Sequence, residues 1–337
     1  MKEREEYKRL YTFGTDYGTS DFKSGPITCG EMPQIIENRG YFPDKESIMY
    51  RAFEMPSEVI VGEEIPLYLQ SSEDLSSRLI YPMRNGVIEK DDEKAWKVVE
   101  EISRHALNLF KPADTAFRGF YLVASLSSVS PRYMYERLFQ IYKGIAEEDG
   151  TIRAATVIPQ PLAVAIAHKA TTCVVMESGH GNTQVCPISR YPIRNAIVAV
   201  NRGGGEANAI TSEILKDLGY GDLARQESFV RAVKERVGLI PIDLNKAIRA
   251  SKNGEKRFDV KFKIPGTRIS IELGDSAWTR FIIGEYIFNP NHEIYRSYFI
   301  RGMDKPKDVR VGNTVFRGMI DFGEAILESV ERCPIEL

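Results

Sequence analysis

Apolar and polar positions fall into two similar series along the chain. Leu10-Tyr11-Thr12-Phe13-Gly14-Thr15 predicts a strand that ends in a carboxylate, Asp16, and runs into a small polar turn, Gly18-Thr19-Ser20. Residues 34–42 predict a third strand, and Val59-Ile60-Val61 a short one that stops at Gly62. Tyr81 to Ile88 carries a proline and an Asn85-Gly86 turn. After Asp91-Asp92, apolar residues recur at Trp96, Val98, Val99, Ile102, Ala106, Leu107 and Phe110, which predicts an amphipathic helix with an acidic cap. Residues 121–126 form a continuous apolar run suited to a buried strand. Ser130-Pro131 opens a helix, residues 154–158 predict another buried strand, and residues 162–169 a helix of small side chains.

The second series starts the same way. Residues 172–176 and 184–188 are apolar strands on either side of Glu177-Ser178-Gly179-His180-Gly181-Asn182-Thr183. A third strand follows at 196–200, and Asn201-Arg202-Gly203-Gly204-Gly205-Glu206 is a glycine turn opening a helix at 207–218. Further helices are predicted at 229–237 and 244–251, a hairpin around Pro265-Gly266, an amphipathic helix at 278–288 and a helix at 320–330. The two acidic strand ends, Asp16 and Glu177, lie about one domain length apart. A strand–acid–glycine hairpin repeated at that distance suggests two similar domains, each gripping one ligand from its own side. Taken alone, either turn is weak evidence, since most glycine turns between strands are only turns. Consecutive backbone N–H groups in such a turn can form an anion-binding concavity.

Composition narrows the classes. The 337 residues favour two domains, and 43% apolar with 27% charged residues is ordinary for a globular chain with a sizeable core. A net charge of −2 gives no bulk attraction to nucleic acid or an anionic membrane. Cys29, Cys173, Cys186 and Cys333 show no C-x-x-C spacing, and Cys173 and Cys186 sit in the strands flanking the central turn, as buried free thiols do. A reducing, cytoplasmic setting fits them. The four histidines are too scattered to suggest a metal site, no apolar run approaches a membrane span, and the charged start shows no secretory signal. There is no G-x-x-x-x-G-K-[ST] loop, no complete dinucleotide fingerprint and no G-x-S-x-G elbow.

The paired hairpins resemble the actin, Hsp70 and sugar-kinase superfamily. Several stretches resemble the actin family in particular: Val61-Gly62-Glu63-Glu64, Tyr81-Pro82-Met83-Arg84-Asn85-Gly86-Val87-Ile88, Asp91-Asp92-Glu93-Lys94-Ala95-Trp96, Pro159-Gln160-Pro161-Leu162 and Glu285-Tyr286-Ile287-Phe288-Asn289-Pro290. Gly179-His180-Gly181-Asn182, Asn201-Arg202-Gly203-Gly204 and Asn289-Pro290-Asn291-His292-Glu293 are most similar to the archaeal branch, the crenactins. The resemblance implies an α/β, two-domain actin-like (RNase H-like) ATPase fold of duplicated βββαβαβα units around a central nucleotide cleft. It puts the first domain at 1–166, with an insertion at about 38–70, and the second at 167–337, with its own insertion at about 204–296. It also implies a further C-terminal segment that closes on the adenosine, so the chain reads as C-terminally truncated, with the cleft short of one wall.

The same resemblance assigns roles. ATP or ADP with Mg2+ is the implied ligand. Gly18, Thr19, Ser20 and Lys23 on one side, and Gly179, Gly181 and Asn182 on the other, would hold the phosphates. Asp16 and Glu177 would hold Mg2+ through its waters, because that ion dehydrates reluctantly. Gln160 would orient the attacking water, and His180 would accept or relay its proton. Gly204, Glu206, Lys234 and Glu235 would contact the nucleoside. Actins carry Asp where Glu177 stands and Arg where Gly205 stands. Unaided, Lys23 reads as a surface lysine and His180 as an exposed turn residue. The function implied is a cytoplasmic cytoskeletal ATPase that polymerises head to tail with itself, served by cytoskeletal accessory proteins, without nucleic acid or a membrane span. Two alternatives stay open: a shortened non-catalytic relative that binds partners or caps filaments, and a metabolite kinase, against which the actin-like stretches at 81–88 and 91–96 speak.

Overall fold

The computed structural model describes residues 2–30, 32–46, 58–66, 78–264, 267–312 and 314–334. The protein is an α/β molecule with mixed sheets. It divides into two compact units: residues 1–175 with 186–194, and residues 176–185 with 195–337.

Unit 1 is built on a five-stranded sheet. Its strands are β1 (Thr12–Tyr17), β2 (Asp21–Pro26), β3 (Gln34–Glu37), β7 (Phe120–Leu126) and β8 (Ile152–Pro159), in the order β3-β2-β1-β7-β8. β1 pairs antiparallel with β2 and parallel with β7, and β7 pairs parallel with β8. The alternation in β1 sends Phe13, Thr15 and Tyr17 into the core and leaves Asp16 on the opposite face. On the core side, the Tyr17 hydroxyl bonds to Ser103 at 2.7 Å and Tyr142 at 2.9 Å, which fastens β1 to α2 (Glu93–Leu109) and α3 (Arg132–Asp149). Asp92 caps α2 by accepting from the Ala95 N–H, as its acidic start predicts. A small sheet of β4 (Gly40–Tyr41), β5 (Ile60–Val61) and β6 (Leu79–Ile80) sits between β3 and α2 in the chain. α4 (Gln160–Ala167) follows β8 directly.

Several expectations need correction here. The start of the chain is a helix, α1 (Lys2–Tyr11), so Leu10 and Tyr11 are helical rather than extended. Glu3 and Glu5 lie in its first turn and Lys8 and Arg9 in its last, which suits the helix dipole. Tyr7 and Tyr11 then pin it to unit 1 through Gly119 and Asp114. Residues 34–42 are not one strand. The Asn38 side chain and N–H turn toward Gly18 and Ser20, which ends β3 before β4 joins another sheet. β8 is only partly covered, with Ala154 and Thr156 exposed. The Asn85-Gly86 turn forms as expected, with both residues at positive φ (51° and 75°) and a bridge between Arg84 and Val87.

β9 (Thr172–Ser178) and β10 (Thr183–Ser189) pass through both units. β10 is buried through Ile188, whereas β9 alternates and exposes Val174 and Met176. Cys186 is therefore buried, and Cys173 only half-buried, contrary to expectation. Within unit 1 the far end of β10 pairs with β11 (Tyr191–Pro192).

In unit 2 the near end of β10 pairs antiparallel with β12 (Val198–Val200), and β12 runs parallel to β16 (Thr314–Arg317). β16 forms a hairpin with β15 (Val309–Val311) that the sequence reading lacked. Among the described residues, then, the third strand of the second series takes the inner place that the first strand, β1, takes in unit 1. The helical core consists of α5 (Gly204–Asp217), α6 (Glu227–Val237), α7 (Leu244–Lys252) and α8 (Thr279–Phe288), packed around Ile210, Ile214, Val233, Phe281 and Ile282. α8 is buried nearly all round rather than amphipathic. Even Arg280 is covered, because its guanidinium donates to the carbonyls of Val237 and Phe258. β13 (Lys261–Lys263) and β14 (Ser270–Glu272) form the expected hairpin, and its turn at Pro265-Gly266 lies outside the described residues. The five-residue helix α9 (Arg296–Ile300) follows, and α10 (Phe322–Glu331) packs on β12.

Candidate functional site

In unit 1, register alone places three polar side chains together. Asp16 is paired with Lys23 across β1 and β2, and with Ser125 across β1 and β7. Partners in register share a sheet face. Ser125 is in turn paired with Ile158 on β8, two residues before Gln160 at the first turn of α4. The result is a carboxylate with three donors. Oδ1 of Asp16 accepts from Ser125 Oγ and from Gln160 Nε2, each at 2.7 Å. Oδ2 accepts from Lys23 Nζ at 3.1 Å. The Lys23 and Asp16 side chains keep 44% and 29% of their surface, so the ion pair faces water and contributes little to stability by itself.

The neighbouring turn is held from three directions. Gly18 N–H donates to the Asp21 carbonyl at 3.1 Å, which closes the turn. Asn38 Nδ2 donates to the Gly18 carbonyl at 2.6 Å, and the Asn38 N–H to the Ser20 carbonyl at 2.8 Å. Thr19 Oγ1 accepts from the Gly86 N–H at 3.0 Å, which leaves the hydroxyl proton of Thr19 to point elsewhere. A Cβ on Gly18 would lie 2.7 Å from the Asp21 carbonyl oxygen, so this close turn requires glycine.

The unit 2 hairpin is held by backbone. Gly179 N–H donates to the Asn182 carbonyl at 2.9 Å. The carbonyls of Gly179 and His180 accept from the N–H groups of Gly204 and Gly205, at 2.9 and 2.8 Å. The first of the three glycines is required by space: a Cβ on Gly203 would meet the Gly179 and His180 carbonyl oxygens at 2.3 and 2.8 Å. The glycine loop is thus shaped to lie against the hairpin turn. His180, Gly204 and Lys234 are gathered there, with Lys234 Nζ donating to the Gly204 carbonyl at 3.3 Å. Glu206 Oε2 accepts from the Gly203 N–H at 2.7 Å and caps α5, and burial pushes its carboxyl up.

The other expected residues are placed as follows. Glu177 lies one residue before the end of β9, ahead of Ser178, whose hydroxyl bonds Thr183 Oγ1 at 2.8 Å across the turn. Gly181 lies in the turn between His180 and Asn182. Asn182 is buried, and its Oδ1 accepts from Gln184 Nε2 at 3.1 Å. Glu235 does not join Lys234 at the loop but pairs with Arg231 at 2.9 Å on its own helix.

Three contributors escaped the sequence reading. Ser125 carried a signal, as the one serine in an otherwise apolar and aromatic strand. Asn38 carried none. Arg202 is fully buried without a carboxylate partner in contact. Its Nε donates to the Ile287 carbonyl at 2.9 Å and its Nη2 to the Ile320 carbonyl at 2.7 Å, while Nη1 donates to Gly318. Burial pulls this guanidinium down to about 10. Its own carbonyl accepts from Thr183 Oγ1 at 2.8 Å, so Arg202 ties the hairpin's second strand to the last turn of α8 and the loop after β16.

Among the described residues no three His, Cys, Asp or Glu side chains cluster as a direct metal cage. No helix described is long and apolar enough to cross a membrane. No protein-family model matches the chain.

Proposed function

We propose that the chain is an actin-family protein of the crenactin type, which binds ATP with Mg2+, hydrolyses it and polymerises head to tail into a cytoplasmic filament. The observation that carries this reading is the convergence of Lys23, Gln160 and Ser125 on the Asp16 carboxylate, beside a glycine turn pinned on three sides. The second glycine hairpin, stacked on its own glycine loop, supports it as well.

In this reading Lys23 supplies a point charge to the phosphates, and the turns at 18–20 and 179–182 supply short-range donors. The donor set suits Mg2+: hard carboxylate oxygens, one of them partly exposed, and no three-ligand cage among the described residues. An ion that keeps its waters needs only one or two carboxylates, and Asp16 and Glu177 would hold those waters. Bound there, the ion would neutralise phosphate charge. Gln160 orients a water, and His180 takes its proton. Gly204, Glu206 and Lys234 form the nucleoside side of the second hairpin. Head-to-tail association that does not close gives a helical filament.

Pelleting and phosphate release, each with and without MgATP, test the reading together. Sedimenting polymer that depends on ATP, with phosphate released, is the expected result. Absence of nucleotide binding would overturn it.

A further inference from the structure

Strand order gives Ser125 a position that no other described residue has. β1 and β8 are two strand spacings apart, about 10 Å, with β7 between them. A side chain leaving the end of β8 for Asp16 must therefore cross β7, and it crosses at Ser125, the residue in register with both Asp16 and Ile158. Tyr121 and Val123 occupy the same face of β7 further back, and both are larger. At Ser125 the side chain is small enough to pass over, 8% exposed, and its hydroxyl donates to the same Asp16 oxygen that Gln160 engages.

That arrangement fixes which end of the Gln160 amide faces Asp16. Its two neighbours there, Asp16 Oδ1 at 2.7 Å and the Tyr17 carbonyl at 3.4 Å, are both acceptors. Only the NH2 end can face two acceptors, so the amide assignment follows from the partners. Oε1 is left as the end that can accept from a water.

We propose that Ser125 is a positioning residue of the ATPase site: it clears the path over β7 and anchors Asp16 Oδ1, so that Gln160 presents its oxygen, and not its amide nitrogen, to the attacking water. The proposal rests on the ATPase reading above. Two donors on one carboxylate oxygen hold it in line with the Gln160 amide. Without the hydroxyl the carboxylate keeps only Lys23 and Gln160 and is less firmly oriented, so Gln160 has a less fixed partner. A misplacement of about 1 Å costs up to a hundredfold in rate.

The test compares wild type with Ser125→Ala, Ser125→Thr, Ser125→Val, Gln160→Ala and the double variant Ser125→Ala with Gln160→Ala. Nucleotide affinity is read with a fluorescent ATP analogue, and kcat and KM from phosphate release. Ser125→Ala should bind nucleotide within about twofold of wild type and lose roughly tenfold to a hundredfold in kcat. Ser125→Thr, which keeps the hydroxyl but adds a methyl group over β7, should recover part of kcat. Ser125→Val, which has the threonine shape without the hydroxyl, should recover none, so the pair isolates the anchoring bond from the space. The double variant should be no slower than Gln160→Ala, because both changes remove one function. Normal turnover by Ser125→Ala, or additive losses in the double variant, would overturn this proposal and leave the ATPase reading intact. A wild-type chain that binds no nucleotide would overturn both.

Discussion

The two glycine hairpins solve the same problem with different materials. In unit 1 the turn at 18–20 is set by side chains: Asn38 and Thr19 grip the backbone, while Ser125, Gln160 and Lys23 converge on Asp16. In unit 2 the turn at 179–182 is set by main chain against main chain, with three glycines allowing the approach and a buried Arg202 bracing the loop behind. Side-chain scaffolds can be altered residue by residue with little effect on folding. A backbone scaffold has no spare room, and changes there act on the fold first.

Substitutions can break that comparison, and the largest effect is expected at Arg202. Arg202→Met keeps bulk but strands the carbonyls of Ile287, Gly318 and Ile320 in a buried place. A cost of about 3 kcal/mol is expected from unsatisfied buried acceptors, read as a shift in urea midpoint at constant slope. Next comes Gly203→Ala, whose Cβ must push back the Gly179 and His180 carbonyls, at about 2 kcal/mol for a forced overlap with backbone. An unchanged midpoint would mean that the loop and the turn do not touch. In unit 1, Asp16→Asn should cost about 1 kcal/mol or less, since the pair with Lys23 is exposed to water, while nucleotide binding falls at least about tenfold. A large loss of stability there would erase the contrast between the units.

The smallest effect is in pH dependence, where the units carry opposite signs. Hydrogen bonding from Tyr11 holds the Asp114 carboxyl below its ordinary value of 3.8. Its contribution is complete above that value and is lost only as pH falls further, through the lowered one. Burial holds Glu206 above its ordinary 4.5, so the stability linked to its proton is present below 4.5 and lost as pH rises through the raised value. Acidifying from neutral toward 4.5 should therefore raise the protection factor, which is exchange corrected for its intrinsic pH dependence, at the start of α5 and leave that at the seat of α1 unchanged. Equal responses in both places would contradict the assignment.

Much of the architecture was legible because period and punctuation are local. α2 showed its 3.6-residue stripe and its Asp92 cap, and the Asn85-Gly86 turn and both glycine hairpins were marked by residue type. α1 was missed because its helix signal lies in charge order, with few apolar residues. α8 seemed amphipathic because an arginine in sequence looks exposed; only the carbonyls of Val237 and Phe258 explain why Arg280 is buried. In the candidate site, Asp16, Lys23 and Gln160 carried a family resemblance and Ser125 did not. Its role depends on β7 lying between β1 and β8, and that order is not written in any single stretch. Arg202 was hidden for the same reason, since its partners lie far along the chain.

The most direct measurement is an equilibrium titration of MgATP into the wild-type chain and into Asp16→Asn. Saturable binding of one nucleotide per wild-type chain is predicted, with affinity at least about tenfold weaker in a variant that melts close to wild type. No saturable binding by wild type, or equal affinity in the variant, would contradict the assignment of these hairpins to a nucleotide's phosphates.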